Sequence, residues 1–228
     1  MRIRHNLTVY LITMVAMVAM VVTGCKKGKD EPETVADIDG NVYKTVVIGS
    51  QVWFGENLKT TRYANGDPIP KVTDGTEWLS LQSGAYCEYD NSSVATSIYG
   101  LLYNWYAVND PGKVCPTGWH VPTFDDWIEL NDFLGGDNVA GGKLKEEGTS
   151  HWLNTSAEVT DDYGFTALPA GYRYGGAYQI PGYYAILWSS TEVHVRDGWM
   201  FNLTGSSIQS FLQGAYKTDG YSVRCIKD

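Results

Sequence analysis

The chain has 228 residues, with 17 basic and 26 acidic side chains and a formal net charge of −9. That balance argues against a nucleic-acid partner, because phosphate backbones require clustered Lys and Arg. The length suits one well-buried core, and no Pro/Ser-rich linker divides it.

Arg2 and Arg4 precede a charge-free run from Leu7 to Val22, the layout of a secretory signal. The run is short for a membrane span, which needs roughly 20 apolar residues. It ends at Val22-Thr23-Gly24-Cys25, which resembles the bacterial lipobox. The resemblance implies a signal peptide over residues 1–24, cleavage before Cys25, and lipidation of that cysteine as a membrane anchor. The competing reading is a buried apolar helix with a chance cysteine. Cleavage would remove Arg2 and Arg4 and leave 15 basic against 26 acidic side chains. Residues 25–35 contain the charged tract Lys26–Glu33 and read as a flexible tether. Lys29-Asp30-Glu31 resembles the surface-export signals of Bacteroidota lipoproteins, implying a surface-exposed outer-membrane lipoprotein. A single domain is then expected over residues 36–228.

Within that domain, Val42 to Leu58 reads as a hairpin turning at Gly49-Ser50, and Ala85–Tyr89 reads as a strand. The apolar stretch Tyr99–Val108 suits a buried helix or a strand, and helix is preferred. A helix starts at Thr123, whose hydroxyl can cap it while Asp125 and Asp126 complement its dipole. Trp127, Leu130, Phe133 and Leu134 are assigned to its apolar face, and Gly135-Gly136 ends it. A second short helix is expected over Val139–Glu147. Strands follow at Gly164–Leu168, Tyr184–Ser189, Gly198–Leu203, Ser207–Leu212 and Tyr221–Ile226. In the third of these, Trp199, Phe201 and Leu203 alternate with Met200 and Asn202, which predicts one inward face. Helices followed by short strands indicate an α+β domain rich in loops.

Eight segments in order resemble the Fibrobacter succinogenes major paralogous domain family. They begin at Asp37-Ile-Asp-Gly-Asn-Val-Tyr-Lys-Thr-Val46, Trp53-Phe-Gly-Glu-Asn-Leu58, Tyr99-Gly-Leu-Leu-Tyr-Asn-Trp-Tyr-Ala-Val108 and Cys115-Pro-Thr-Gly-Trp-His-Val-Pro-Thr123. They continue with Gly141-Gly-Lys-Leu-Lys145, Gly164-Phe-Thr-Ala-Leu-Pro-Ala-Gly-Tyr-Arg173, Trp188-Ser-Ser-Thr-Glu192 and Tyr221-Ser-Val-Arg-Cys225. The resemblance implies a C-type-lectin-like scaffold, related also to formylglycine-generating enzymes, with two helices packed on a loop-rich antiparallel sheet. It implies no reaction, since fold alone does not supply function. The Glu-Pro-Asn, Gln-Pro-Asp and Trp-Asn-Asp tripeptides of calcium-dependent sugar binders are missing here. So is the second late cysteine of the formylglycine-generating enzymes. The implied scaffold brings the first helix close to the last strand and so pairs Cys115 with Cys225. Such a bridge contributes on the order of 4 kcal/mol in the chain-entropy model.

Cys87 is then a free thiol, either buried or available for intermolecular pairing or reaction. His120 near Asp125 and Asp126, and His194 near Arg196 and Asp197, are weighed as acid–base or metal groups. Neither has the spacing of a ligand set, so no metal or cofactor is expected. Asp161-Asp162 could hold calcium weakly, although adjacent loop carboxylates usually face water. Ser189, Ser190 and Thr191 lack a nucleophile elbow and are read as satisfying loop backbone. Tyr172, Tyr174, Tyr178, Tyr183 and Tyr184 lie in or beside a Gly-rich stretch, where they either bind a ligand or pack the loop. The expected function is non-catalytic binding of an extracellular glycan or protein. A structural subunit of a surface assembly is the alternative, and a metal-dependent hydrolase comes third.

Overall fold

The computed structural model describes residues 33–154, 158–179 and 181–228. Cys25, the signal peptide and most of the tether therefore lie outside the described residues.

Thr34–Ala36 (β1), Val42–Ile48 (β2) and Gln51–Phe54 (β3) form consecutive antiparallel pairs, and Ile48 faces Gln51 across the expected turn. Thr34 and Val35, assigned to the tether from sequence, thus belong to the sheet. The Glu33 carbonyl also accepts the Thr45 N–H and hydroxyl, which extends the pairing by one residue. Trp119–His120 (β6) and Ile226–Lys227 (β12) complete this sheet in the order β1-β2-β3-β12-β6.

Among the described residues there are five α-helices, where the sequence reading gives three and the resemblance implies two. Gly75–Ser80 (α1) is capped by Asp74, and Ser93–Tyr99 (α2) by Ser92. The stretch Tyr99–Val108 is not one helix. It divides into the end of α2, the strand Leu102–Tyr103 (β5), and the short helix Trp105–Val108 (α3), which Asn104 caps. Gly100 separates them at φ +79°, packed against Asn57 and Leu58. The strand expected over Ala85–Tyr89 shrinks to Tyr86–Cys87 (β4), paired with β5.

Phe124–Phe133 (α4) starts at Thr123 with a full capping box, Thr123 and Asp126 each satisfying the other's backbone N–H. Trp127, Leu130 and Leu134 are buried, whereas Phe133 is half exposed. Six residues at 100° each leave Phe133 about 120° round from Trp127, off the inward face. Its ring lies instead beside Gly49 and Tyr163. Asp137–Leu144 (α5) contains Gly141 and Gly142 because the neighbouring loop presses on it. A Cβ on Gly141 would stand 2.4 Å from the Gln209 carbonyl, and the Gly142 N–H donates to the Ile208 carbonyl.

Tyr184–His194 (β9), Asp197–Thr204 (β10) and Ser210–Tyr216 (β11) form a second antiparallel sheet, with β10 in the middle. The single inward face predicted for β10 is corrected, because Met200 and Asn202 are buried as well as Phe201 and Leu203. One face of β9 and β10 sends Ile186, Trp188 and Met200 into a core with Trp105, Tyr221 and Val223. The other sends Ala185, Leu187, Phe201 and Leu203 into a second core with Trp53, Trp127 and Leu130, where Trp127 stacks on Phe201 at 4.3 Å. Trp199 is only half buried, against Phe124. Gly164–Leu168 is not a strand. Thr166 has φ +50° and only Ala167 pairs, with Lys145. The strand expected over Tyr221–Ile226 is reduced to Ile226 at the start of β12, and Tyr221 and Ser222 make isolated pairs with Tyr103 and Leu187. The domain is therefore α+β and antiparallel in its sheets, and among the described residues no helix is long and apolar enough to cross a membrane.

Cys115 and Cys225 form a disulfide, with Cα atoms 6.0 Å apart and a sequence separation of 110. Both sulfurs lie in the first core beside Val121 and Val223. A loop of that length predicts about 4 to 5 kcal/mol of stabilisation through the unfolded chain. Replacing both cysteines by serine should lower the denaturant midpoint and steepen the slope, because the unbridged chain exposes more surface when it unfolds. An unaltered midpoint would show that the bridge adds nothing.

Candidate functional site

The five tyrosines singled out from sequence do not make one surface. Tyr172–Tyr174 (β7) and Ala177–Gln179 (β8) form a hairpin where an irregular loop was expected. Its turn, Gly175-Gly176, has φ +57° and +76°, a conformation open to glycine. Gly176 lies flat on Gly75 at the start of α1, where a Cβ would come within 2.5 Å of the Gly75 carbonyl.

Strand alternation then sorts the side chains. Arg173 points inward and is buried, donating to the carbonyls of Val72, Thr73 and Gly176 at 2.8, 2.8 and 3.1 Å. Its guanidinium lies over Trp78 and Tyr178. Tyr178 is thus structural, and its hydroxyl meets Asn91. Tyr172 and Tyr174 take the other face. Tyr172 packs edge-on to Tyr184 and against Tyr221, whereas Tyr174 is 51% exposed. Tyr183 and Tyr184 line a separate small hollow of about 140 Å³ with Asn154 and Thr204.

Tyr174 looks across a larger hollow of about 440 Å³, floored by Met200, Gly214 and Ala215 and edged by Gln213, Asp197, Tyr216, Asp219 and Tyr221. Tyr216, also 51% exposed, ends β11 opposite Asp197. The two sides are tied together by backbone. Arg173 and Gly220 exchange both hydrogen bonds, at 2.9 and 2.8 Å, so β7 is fixed to the segment carrying Asp219 and Tyr221. Beneath it, Gly198 lies on the Trp105 ring, where a Cβ would come within 2.3 Å. The hollow therefore has fixed walls.

Asp219 supplies its chemistry. Burial pushes its carboxyl up to about 6, against hydrogen bonds from the Tyr221 hydroxyl and the Tyr216 backbone, and the Asp197 charge adds to the rise. The same burial and the Asp219 charge raise the Tyr221 phenol. The hollow thus offers two aromatic faces, a titrating acid, a second acid and the Gln213 amide.

The other candidates are taken up by structure. His120 places Nδ1 2.7 Å from Asp228 and Nε2 3.3 Å from Asp126, so neither nitrogen is free for a metal or a substrate. The Asp126 hydrogen bond, aided by Asp228 against burial, raises its affinity for a proton. Asp161 accepts the Thr166 N–H and hydroxyl, and Asp162 is exposed. His194 is exposed at the end of β9. The Ser190 hydroxyl donates to the Val121 carbonyl, Thr191 accepts the Phe124 N–H, and Ser189 accepts the Thr191 N–H, so the hydroxyls serve backbone as expected but from within β9, and only Val121 lies in a loop. Cys87 is buried between Arg173 and Tyr178, and burial raises its thiol. Among the described residues, no group of three His, Cys, Asp or Glu side chains could hold a metal ion.

Sequence reasoning reached Tyr174 and named Asp197 only as a neighbour of His194, and it missed Gln213, Tyr216, Asp219 and Tyr221. The signal available was Tyr216-Lys-Thr-Asp219-Gly220-Tyr221, an Asp-Gly turn flanked by tyrosines. Asp219 carries a testable pH signature. Its folded pKa near 6 exceeds the unfolded value of about 3.9, so the stability it contributes is full below pH ~4 and lost as pH rises through 6. Asp219→Asn should raise stability at pH 7 by up to about 3 kcal/mol and flatten the profile between pH 4 and 6. An unchanged profile in urea titrations across that range would refute the assignment.

Residues 46–227 match the Fibrobacter succinogenes major domain, which is most of the chain and nearly all of the folded part. No curated protein and no solved structure is detectably similar to it. The chain belongs to the Fibrobacter succinogenes major domain family.

Proposed function

We propose that this is a non-catalytic recognition domain, displayed at the cell surface on a lipid anchor at Cys25, that binds an extracellular glycan between Tyr174 and Tyr216. The observation that carries the reading is the hollow itself. Two half-exposed tyrosine rings flank it, and two carboxyl groups and an amide line it. Sugar rings present C–H faces that lie on aromatic faces, and hydroxyls that donate to carboxylates. The volume, about 440 Å³, falls in the range of small-ligand sites.

The leader sequence and the Cys25 motif support surface display, since an exported domain meets glycans rather than cytoplasmic substrates. Against a protein partner as first choice stands the concavity of the surface. Flat protein interfaces bury roughly 800 Å² per side, whereas a cleft of this size fits a few sugar rings.

The test is a glycan array probed with the full chain, followed by titration of the best ligand. Tyr174→Ala and Tyr216→Ala should each weaken binding by roughly tenfold or more, the usual cost of truncating an aromatic anchor. Circular dichroism should show both variants folded. If the native chain binds no glycan and instead migrates in mild detergent with stoichiometric partners, the structural-subunit reading replaces this one.

A further inference from the structure

The hollow does not end at Tyr216. On the far side of that ring lies a second hollow of about 410 Å³, lined by Leu79, Leu81, Tyr106, Thr218 and Arg196, with Tyr216 common to both. Backbone continuity joins them twice. Arg196 and Asp197 are neighbours facing opposite hollows, and so are Thr218 and Asp219. Tyr216 is therefore a ridge with a binding-sized depression on each side.

The two sides differ in charge. The Tyr174 side carries Asp197 and Asp219, whereas the far side carries Arg196. That guanidinium is exposed and, among the described residues, has no carboxylate or carbonyl partner. The nearest other cation in sequence, Lys217, is not available. It is buried over the Trp105 ring, with its ammonium 2.7 Å from Glu192 and 3.1 Å from the Val195 carbonyl. In a chain this acidic, Arg196 is the one cation presented at the paired hollows, and it stands beside apolar Leu79 and the Tyr106 ring. A planar guanidinium with its donors unused matches a carboxylate in two parallel hydrogen bonds.

Extending the glycan reading above, on which this rests, we infer that the ligand is a linear oligosaccharide that straddles Tyr216 and places a uronic acid against Arg196. The neutral part of the chain lies between Tyr174 and Tyr216, where its hydroxyls donate to Asp197 and Asp219. Tyr216 stacks under the linkage between the two parts. The acids on the Tyr174 side repel a second carboxylate there, so the groove reads the chain in one direction.

The experiment uses the full chain immobilised in detergent and probed with three uronate-containing polymers: polygalacturonate, alginate and hyaluronan. Each is compared with its own carboxyl-reduced, neutral form. At low salt the native chain should bind at least one of them roughly tenfold more tightly than its reduced form, and the preference should shrink as salt is raised. Arg196→Gln should bring the ratio of acidic to reduced binding toward one. Tyr216→Ala should weaken the acidic and reduced forms together.

Equal binding of acidic and reduced forms by the native chain, sensitive to Tyr174→Ala, would overturn the uronate assignment and leave the glycan site standing. A preference that survives in Arg196→Gln would overturn the role of Arg196. Preference for sulfated dextran over every uronate polymer would overturn the carboxylate in favour of a sulfate. No binding to any glycan, acidic or neutral, would overturn both this inference and the reading it rests on.

Discussion

Long loops that run through the inside of a protein bring carbonyl oxygens with them, and each needs a donor. A carbonyl left buried and unpaired costs about 1–3 kcal/mol, so a domain with short strands and short helices must find donors outside its sheets. This chain finds them in long cationic side chains and in indoles. Arg173 serves Val72, Thr73 and Gly176, and Lys145 serves Thr204, Gly205 and Ser207. Arg224 serves Phe165, Thr166 and the Asn57 amide oxygen. The indole N–H groups of Trp78, Trp105, Trp152 and Trp188 donate to Thr218, Ser189, Ala167 and Tyr103. Removing a charge from water costs several kcal/mol, and burial pushes Lys145 down to about 8 and Arg224 to about 9. Aromatic faces at Trp152, Phe165, Trp78 and Trp105 lie against Lys145, Arg224, Arg173 and Lys217 and offset part of that cost.

The candidate site depends on one of these anchors. Because Arg173 is locked inward, its neighbours Tyr172 and Tyr174 are directed to the opposite face of the hairpin. The Arg173–Gly220 backbone pair then sets the distance from Tyr174 to Asp219 and Tyr221. A ring held by a hairpin that is itself bolted at both ends loses little freedom when a ligand arrives. Preorganisation of that kind turns modest contact area into affinity.

These relations separate what was legible in the sequence from what was not. The β2–β3 hairpin, the cap and start of α4, and the start of β9 were readable because local alternation, an N-cap residue and turn residues agree there, and β10 was placed by its flanking glycine and turn residues, whereas β11 begins at Ser210 rather than Ser207. The Cys115–Cys225 bridge followed from family resemblance rather than from spacing. Tyr99–Val108 misled because its apolar residues serve three elements in turn, with Gly100 and Asn104 as the breaks. The one-sided reading of β10 failed because this strand lies between two cores, and a strand buried on both faces loses its alternation. Within the site, Tyr174 was visible as part of a Gly-rich stretch. Asp219 and Tyr216 were not, because only the fold brings the end of β11 next to β7. Five tyrosines looked alike in sequence, and a single buried arginine between two of them divides structural rings from a presented one.

Packing alone would not select the composition of the hollow. At neutral pH a buried carboxyl with a pKa near 6 makes the domain less stable than an amide or an apolar residue would. The Tyr221 hydroxyl and the Tyr216 backbone compensate only in part. Two tyrosine rings left half exposed add apolar surface that a folded domain could bury or replace by charge. Departures of this sort from the most stable local choice concentrate at sites used for recognition, where the side chains are chosen for what they meet outside the protein. Both departures fall on the same hollow, flanked by the same hairpin and the same strand end.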